Sequence, residues 1–155
     1  LNKLVVMGHS AGGHLAVWAA SRDKIATDNI LYTKQPLAIK NVISLAGLLD
    51  LQYAQEHKLS DSAVDELFAG YKPAPLYPST SPIDMLPIKA NVHLVHGDED
   101  TNVPFEISQR YLEKAQTQGM NTSLLTLKGA GHFDIIDPSS AYFIEIKNLL
   151  QQIVQ

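Results

Sequence analysis

Gly8-His9-Ser10-Ala11-Gly12 is a G-x-S-x-G pentapeptide, directly after the apolar run Leu4-Val5-Val6-Met7 and directly before a helical pattern. A nucleophile elbow requires that context: the serine occupies a strained strand-to-helix turn that lifts its hydroxyl above the end of a sheet. Glycines two residues to either side keep side chains out of the space that the turn consumes. A helix starting at Ala11 aims backbone N–H groups at the same point, so the Ala11 N–H is a candidate donor to a developing oxyanion. The competing reading is an ordinary strand–helix turn whose serine has no chemical role.

A serine of this kind needs a base, and at neutral pH that is usually a histidine oriented by a carboxylate. Of the six histidines, His132 sits in a loop after a strand, flanked by small residues in Gly129-Ala130-Gly131-His132-Phe133. Small neighbours let its side chain reach across the end of a sheet. His93 lies within a strand and reads as a satisfied core residue, while His96 ends that strand in a structural or supporting role. His14 and His57 read as ordinary partners. His9, at the variable position of the elbow, is expected to line the site as a substrate-binding residue.

The carboxylate should also follow a strand. Val95-His96-Gly97-Asp98-Glu99-Asp100-Thr101-Asn102-Val103-Pro104 offers three acids. Asp100 is the first choice, and Asp98 or Glu99 are alternatives whose competing role is turn formation. The chain order Ser10, Asp100, His132 is Ser…Asp…His.

These residues need a scaffold, and the apolar patterning supplies one. Runs at Leu4 to Met7, Val42 to Ala46 and Val92 to Val95 are almost continuously apolar, as parallel strands covered on both faces should be. The more mixed Leu124 to Leu127 reads as nearer an edge. Helical patterns over Ala11 to Ser21, Pro104 to Gln118 and Pro138 to Ile153 alternate with these strands, which predicts a parallel α/β sheet. Residues 50–90 break the rhythm. Ser62-Ala63-Val64-Asp65 resembles a capping box opening a helix that ends near Gly70. Pro73, Pro75, Pro78, Pro82 and Pro87 follow, within an excursion expected to lie over the active-site end of a single domain.

Composition narrows the function. The 155 residues carry 12 basic and 16 acidic side chains, a net charge of −4, so no general attraction to nucleic acid or anionic membrane is expected. No stretch approaches the roughly 18 apolar residues of a membrane span. The absence of cysteine removes disulfides, thiolate metal sites and a thiol nucleophile, and it fits a cytoplasmic location. The chemistry read above needs no metal or organic cofactor.

The run Val5-Val6-Met7-Gly8-His9-Ser10-Ala11-Gly12-Gly13-His14-Leu15-Ala16 resembles the elbow of α/β-hydrolases in the kynurenine formamidase and small-carboxylesterase group. His96-Gly97-Asp98-Glu99-Asp100-Thr101-Asn102-Val103-Pro104 resembles the H-G-x-x-D-x-x-V-P segment of that group and of prolyl-oligopeptidase-type domains. Gly131-His132-Phe133 resembles the histidine loop, and the likeness extends across residues 44–51 and Ser81-Pro82. The resemblance implies that Asp100 is the acid of a Ser10–His132–Asp100 triad. It also implies that the four strands are the last four of eight, with earlier strands expected before Leu1. The family's H-G-G-type loop, which supplies a second oxyanion N–H, is absent from this sequence and is expected upstream.

The resulting expectation is a serine hydrolase acting on carboxylic esters or small amides through an acyl-enzyme. Alternatives are part of a prolyl-oligopeptidase-type peptidase and a catalytically silent binding module of the same fold. Leu48, Leu49, Leu51, Tyr53, Leu67, Phe68 and Tyr71 are expected to attach the excursion to the core, with a substrate-facing apolar wall as the other possibility. A first strand paired on one side only is expected to invite self-association.

Overall fold

The computed structural model describes residues 4–72 and 75–155, so Leu1 and Pro73 lie outside the described residues. Strands β1 (Val5–His9), β2 (Asn41–Leu45), β3 (Asn91–Gly97) and β4 (Thr122–Leu127) form one sheet in the order β1-β2-β3-β4, parallel throughout. The helices are α1 (Ala11–Ala20), α2 (Leu51–Glu56), α3 (Leu59–Leu67), α4 (Tyr77–Thr80), α5 (Glu106–Thr117) and α6 (Ala141–Val154).

Strand periodicity divides the apolar residues between the two faces. Val42, Val92 and Leu94 join Val17 of α1 and Ile107 and Tyr111 of α5 in one core. Ile43, Leu45 and Val95 point the other way, into a core with Leu127, Ile135 and Ile146 of α6. Helices on both faces explain why β2 and β3 are apolar almost without a break. β1 differs from the expectation of a strand covered on both faces. It borders β2 alone among the described residues, its flanking valines are only half-buried, and Met7 is 44% exposed.

Residues 50–90 hold α2, α3, α4 and a 3₁₀ turn at Pro82–Met85. Leu51, Ala54, Val64, Phe68, Tyr77 and Ile83 share the core that contains Val42 and Val92. Leu48, Leu49, Leu51 and Phe68 are therefore packing residues, whereas Leu67 and Tyr71 are largely exposed. Polar ties fasten the segment as well: the Asp50 carboxylate caps α2 at the Tyr53 N–H and accepts from Arg110 at 2.8 Å. The His14 and Trp18 ring N–H groups of α1 donate to the carbonyls of Thr80 and Ser79.

Of three local expectations, one holds and two are corrected. α3 is right-handed helix only from Ala63 onward, as the Ser62 start predicts, because Lys58, Ser60, Asp61 and Ser62 all have left-handed φ between 50° and 63°. α5 begins at Glu106, after a turn in which the Ile107 N–H reaches the Pro104 carbonyl. His93 is half-buried on β3, bonded to Ser123, rather than a core residue.

Candidate active site

The three candidate residues all lie just beyond C-terminal ends of parallel strands, where the loops of an α/β sheet gather ligands. Ser10 follows β1 directly and precedes α1, with φ 55° and ψ −121°, a conformation that costs a non-glycine residue energy. Its N–H donates to the Leu45 carbonyl at 2.8 Å, continuing the sheet, and its carbonyl accepts from the His14 N–H at 3.1 Å, beginning the helix. The chain thus passes from strand to helix at one residue. Such a reversal brings residues 8 and 12 together, and a Cβ on Gly8 would run into the Gly12 carbonyl. The first N–H groups of α1, beginning with Ala11, have no acceptor within the helix by its geometry, so they face the space over the turn.

His132 reaches the site because its loop descends onto the end of β3. The Glu99 N–H donates to the Ala130 carbonyl at 3.1 Å, and a Cβ on Gly97 would collide with that same carbonyl. The Asp134 carboxylate accepts from the Gly131 N–H at 2.7 Å and closes the turn on the other side. Within this frame the His132 Nδ1–H donates to Oδ2 of Asp100 at 2.6 Å, with both side chains almost fully buried.

Asp100 is held from every side. Its Oδ1 accepts from the N–H groups of Asn102 and Val103 at 2.9 and 2.8 Å, and its Oδ2 also lies 3.2 Å from Nε2 of His96. Burial opposes ionisation, but donors from His96, Val103, His132 and Asn102 outweigh it and bring the carboxyl from the usual 3.8 to about 2. The alternatives behave differently. Asp98 accepts from the Gly129 N–H at 2.7 Å and pairs with Lys128 at 3.5 Å, bracing the loop after β4. Glu99 is exposed and tied through its backbone. Among the three acids, Asp100 faces the imidazole.

His9 joins the two loops. Its Nε2–H donates to the His132 carbonyl at 2.9 Å, and the two rings lie 4.4 Å apart. Burial lowers the pKa of His9, favouring the neutral ring that this bond uses. Ser10 Oγ makes no hydrogen bond among the described residues, and serine–histidine contacts are often long until substrate binds. Two supporting residues were missed in the sequence reading: Ser108, bonded to His96 at 2.7 Å, and Asp134. Asp134 had a signal, an acid three residues after Gly131 in a loop where Asx-type turns form; Ser108 had none.

Residues 1–115, which include Ser10 and Asp100, match the family model described as BD-FAE. The chain belongs to the BD-FAE family. Relatives point the same way as this BD-FAE match. The chain is 25% identical over 146 residues to the probable isoprenylcysteine alpha-carbonyl methylesterase ICME of Oryza sativa subsp. japonica, covering 86% of this chain and 35% of that protein. It is 21% identical over 165 residues to kynurenine formamidase of Drosophila melanogaster, covering 99% and 50%. Among solved structures, a truncated form of a carbohydrate esterase from gut microbiota superposes with a TM-score of 0.71 at 21% identity, over 96% of this chain and 58% of that one. The likeness in structure establishes an α/β-hydrolase fold. The chain spans about a third to a half of the length of these two sequence relatives.

Proposed function

We propose that this chain carries the nucleophile, base and acid of a serine hydrolase that cleaves carboxylic esters or small amides. The observation that carries the reading is the buried 2.6 Å bond from His132 to Asp100, on a loop that also meets His9, the neighbour of Ser10. A carboxylate kept ionised beside an imidazole is the arrangement a general base needs. The esterase and formamidase names of the relatives agree with it.

In this reading Ser10 Oγ attacks the carbonyl carbon while Nε2 of His132 takes its proton. Asp100 accepts from Nδ1–H, which fixes the tautomer with Nε2 free to act, and its charge stabilises the imidazolium that forms. The Ala11 N–H, at the positive end of α1, donates to the oxyanion. Collapse of the tetrahedral intermediate expels the alcohol or amine, which leaves with the proton from His132. Water then attacks the acyl-Ser10 ester by the same route and frees the acid. An apolar cavity of about 240 Å³ opens beside Ala11, lined by Leu15, Leu48, Leu51, Val64 and Leu67. It lies below the roughly 300–1,000 Å³ of drug-sized sites and suits a small apolar group on the substrate.

The experiment is labelling with a fluorophosphonate probe, followed by mapping of the modified residue, beside turnover of p-nitrophenyl acetate. The expected result is modification at Ser10, lost in Ser10→Ala together with turnover. Labelling elsewhere, or no labelling of a folded protein of natural length, would reject the assignment.

A further inference from the structure

We infer that His96, backed by Ser108, is a positioning residue that holds the Asp100 carboxylate in the orientation His132 needs. This rests on the Ser10–His132–Asp100 reading above.

His96 is fully buried near the end of β3, and the mechanism does not use it. Its Nε2 lies 2.9 Å from the Val103 carbonyl and 3.2 Å from Oδ2 of Asp100. A carbonyl and a carboxylate both only accept, so Nε2 must carry a hydrogen and share it between them. Nδ1 is then the acceptor. The Ser108 hydroxyl, buried on α5 at 2.7 Å, donates to it. Phe105 meets the ring edge-on at 5.6 Å, closing another side. The ring is thus fixed in position and in tautomer.

Its contacts bear on the acid at two points. The Val103 N–H donates to Oδ1 of Asp100, while the Val103 carbonyl receives the His96 N–H. His96 therefore closes the turn that grips Oδ1 and also contacts Oδ2 directly. Oδ2 in turn lies between two imidazole donors, His96 and His132. With His96 gone, Oδ2 keeps His132 as its single ring partner, and Oδ1 is held by a turn that has lost its His96 tie.

The test compares His96→Leu, His96→Gln, Ser108→Ala, Asp100→Asn and the double variant His96→Leu/Asp100→Asn in the natural-length protein. It reads kcat and KM for p-nitrophenyl acetate and the far-downfield proton resonance of the His132–Asp100 bond. His96→Leu should lower kcat roughly 10²-fold with KM almost unchanged, the scale of a small misplacement of catalytic groups. It should also shift or erase the resonance. His96→Gln, which keeps an N–H near Nε2, should recover kcat to within about tenfold of wild type. If His96→Leu does not fold, His96→Gln and Ser108→Ala carry the comparison, and Ser108→Ala should shift the same resonance. On an Asp100→Asn background, His96→Leu should cost less than about twofold more, because the two act through one group. Losses that multiply in the double variant, or kcat and the resonance both unchanged in the folded single variants, would overturn the inference. Unchanged kcat in Asp100→Asn would instead overturn the reading on which it rests.

Discussion

His132 and Asp100 lie 32 positions apart in the chain, yet Nδ1 of one donates to Oδ2 of the other at 2.6 Å with both side chains out of water. Two strand-end loops must meet for this contact to form. Gly97 and Ala130 make that meeting possible, since the 130–132 loop rests where a β-carbon at 97 would sit.

That close approach sets the first prediction. Gly97→Ala should push the Ala130 carbonyl away and carry His132 off Asp100. Turnover of p-nitrophenyl acetate should fall about 10²-fold, as expected for a displacement near 1 Å. A variant with wild-type kcat would remove the argument that this contact places the histidine.

Ser10→Ala should lower turnover by roughly 10⁴ or more, and His132→Ala should be almost as damaging. The double variant should be little worse than either, because the pair acts as one unit. Retention of more than a tenth of wild-type turnover by Ser10→Ala would exclude it as the nucleophile.

Ser10→Gly makes a separate test through stability. The φ of 55° and ψ of −121° at Ser10 suit glycine, and releasing strain of this kind is worth about 1–3 kcal/mol. The greater freedom of glycine in the unfolded chain offsets part of that gain. The variant should be inactive yet about 1 kcal/mol more stable by urea denaturation. A less stable Ser10→Gly protein would show that the turn is unstrained.

Asp100→Asn should cost far more activity than Asp98→Asn, since Asp98 braces the Gly129 N–H while Asp100 orients the imidazole. The reverse ranking of kcat values would move the acid to Asp98.

Asp100 also links stability to pH. Its carboxyl is lowered from 3.8 to about 2 in the folded protein. The folded state therefore favours the ionised form, and the stabilisation is present above pH 3.8 and lost as pH falls toward 2. The loss from this group amounts to about 2 kcal/mol. Denaturation curves of wild type and Asp100→Asn should accordingly converge by about that amount between pH 5 and pH 2. A constant gap across that range would contradict the assigned shift.

Much of this protein is legible in its sequence. The elbow at residues 8–12, the four parallel strands, the α1 and α6 patterns and the order Ser10, Asp100, His132 all follow from local sterics and the two periodicities of backbone structure. Such signals span a few residues and survive in the sequence. Other features depended on which distant segments touch. Apolar Leu4 to Met7 reads as a strand covered on both faces, yet the valines of β1 are only half-buried. Asp100 is the first choice of acid in the sequence, with Asp98 and Glu99 as alternatives. The descent of the Ala130 carbonyl onto Gly97 turns Asp100 toward His132 and leaves Asp98 to the neighbouring loop. His96 and Ser108 stand 12 residues apart, on β3 and α5, and only the packing of that helix against the sheet makes them partners. Types and order of residues are local information, whereas the pairing of donors and acceptors across loops is a property of the packed fold.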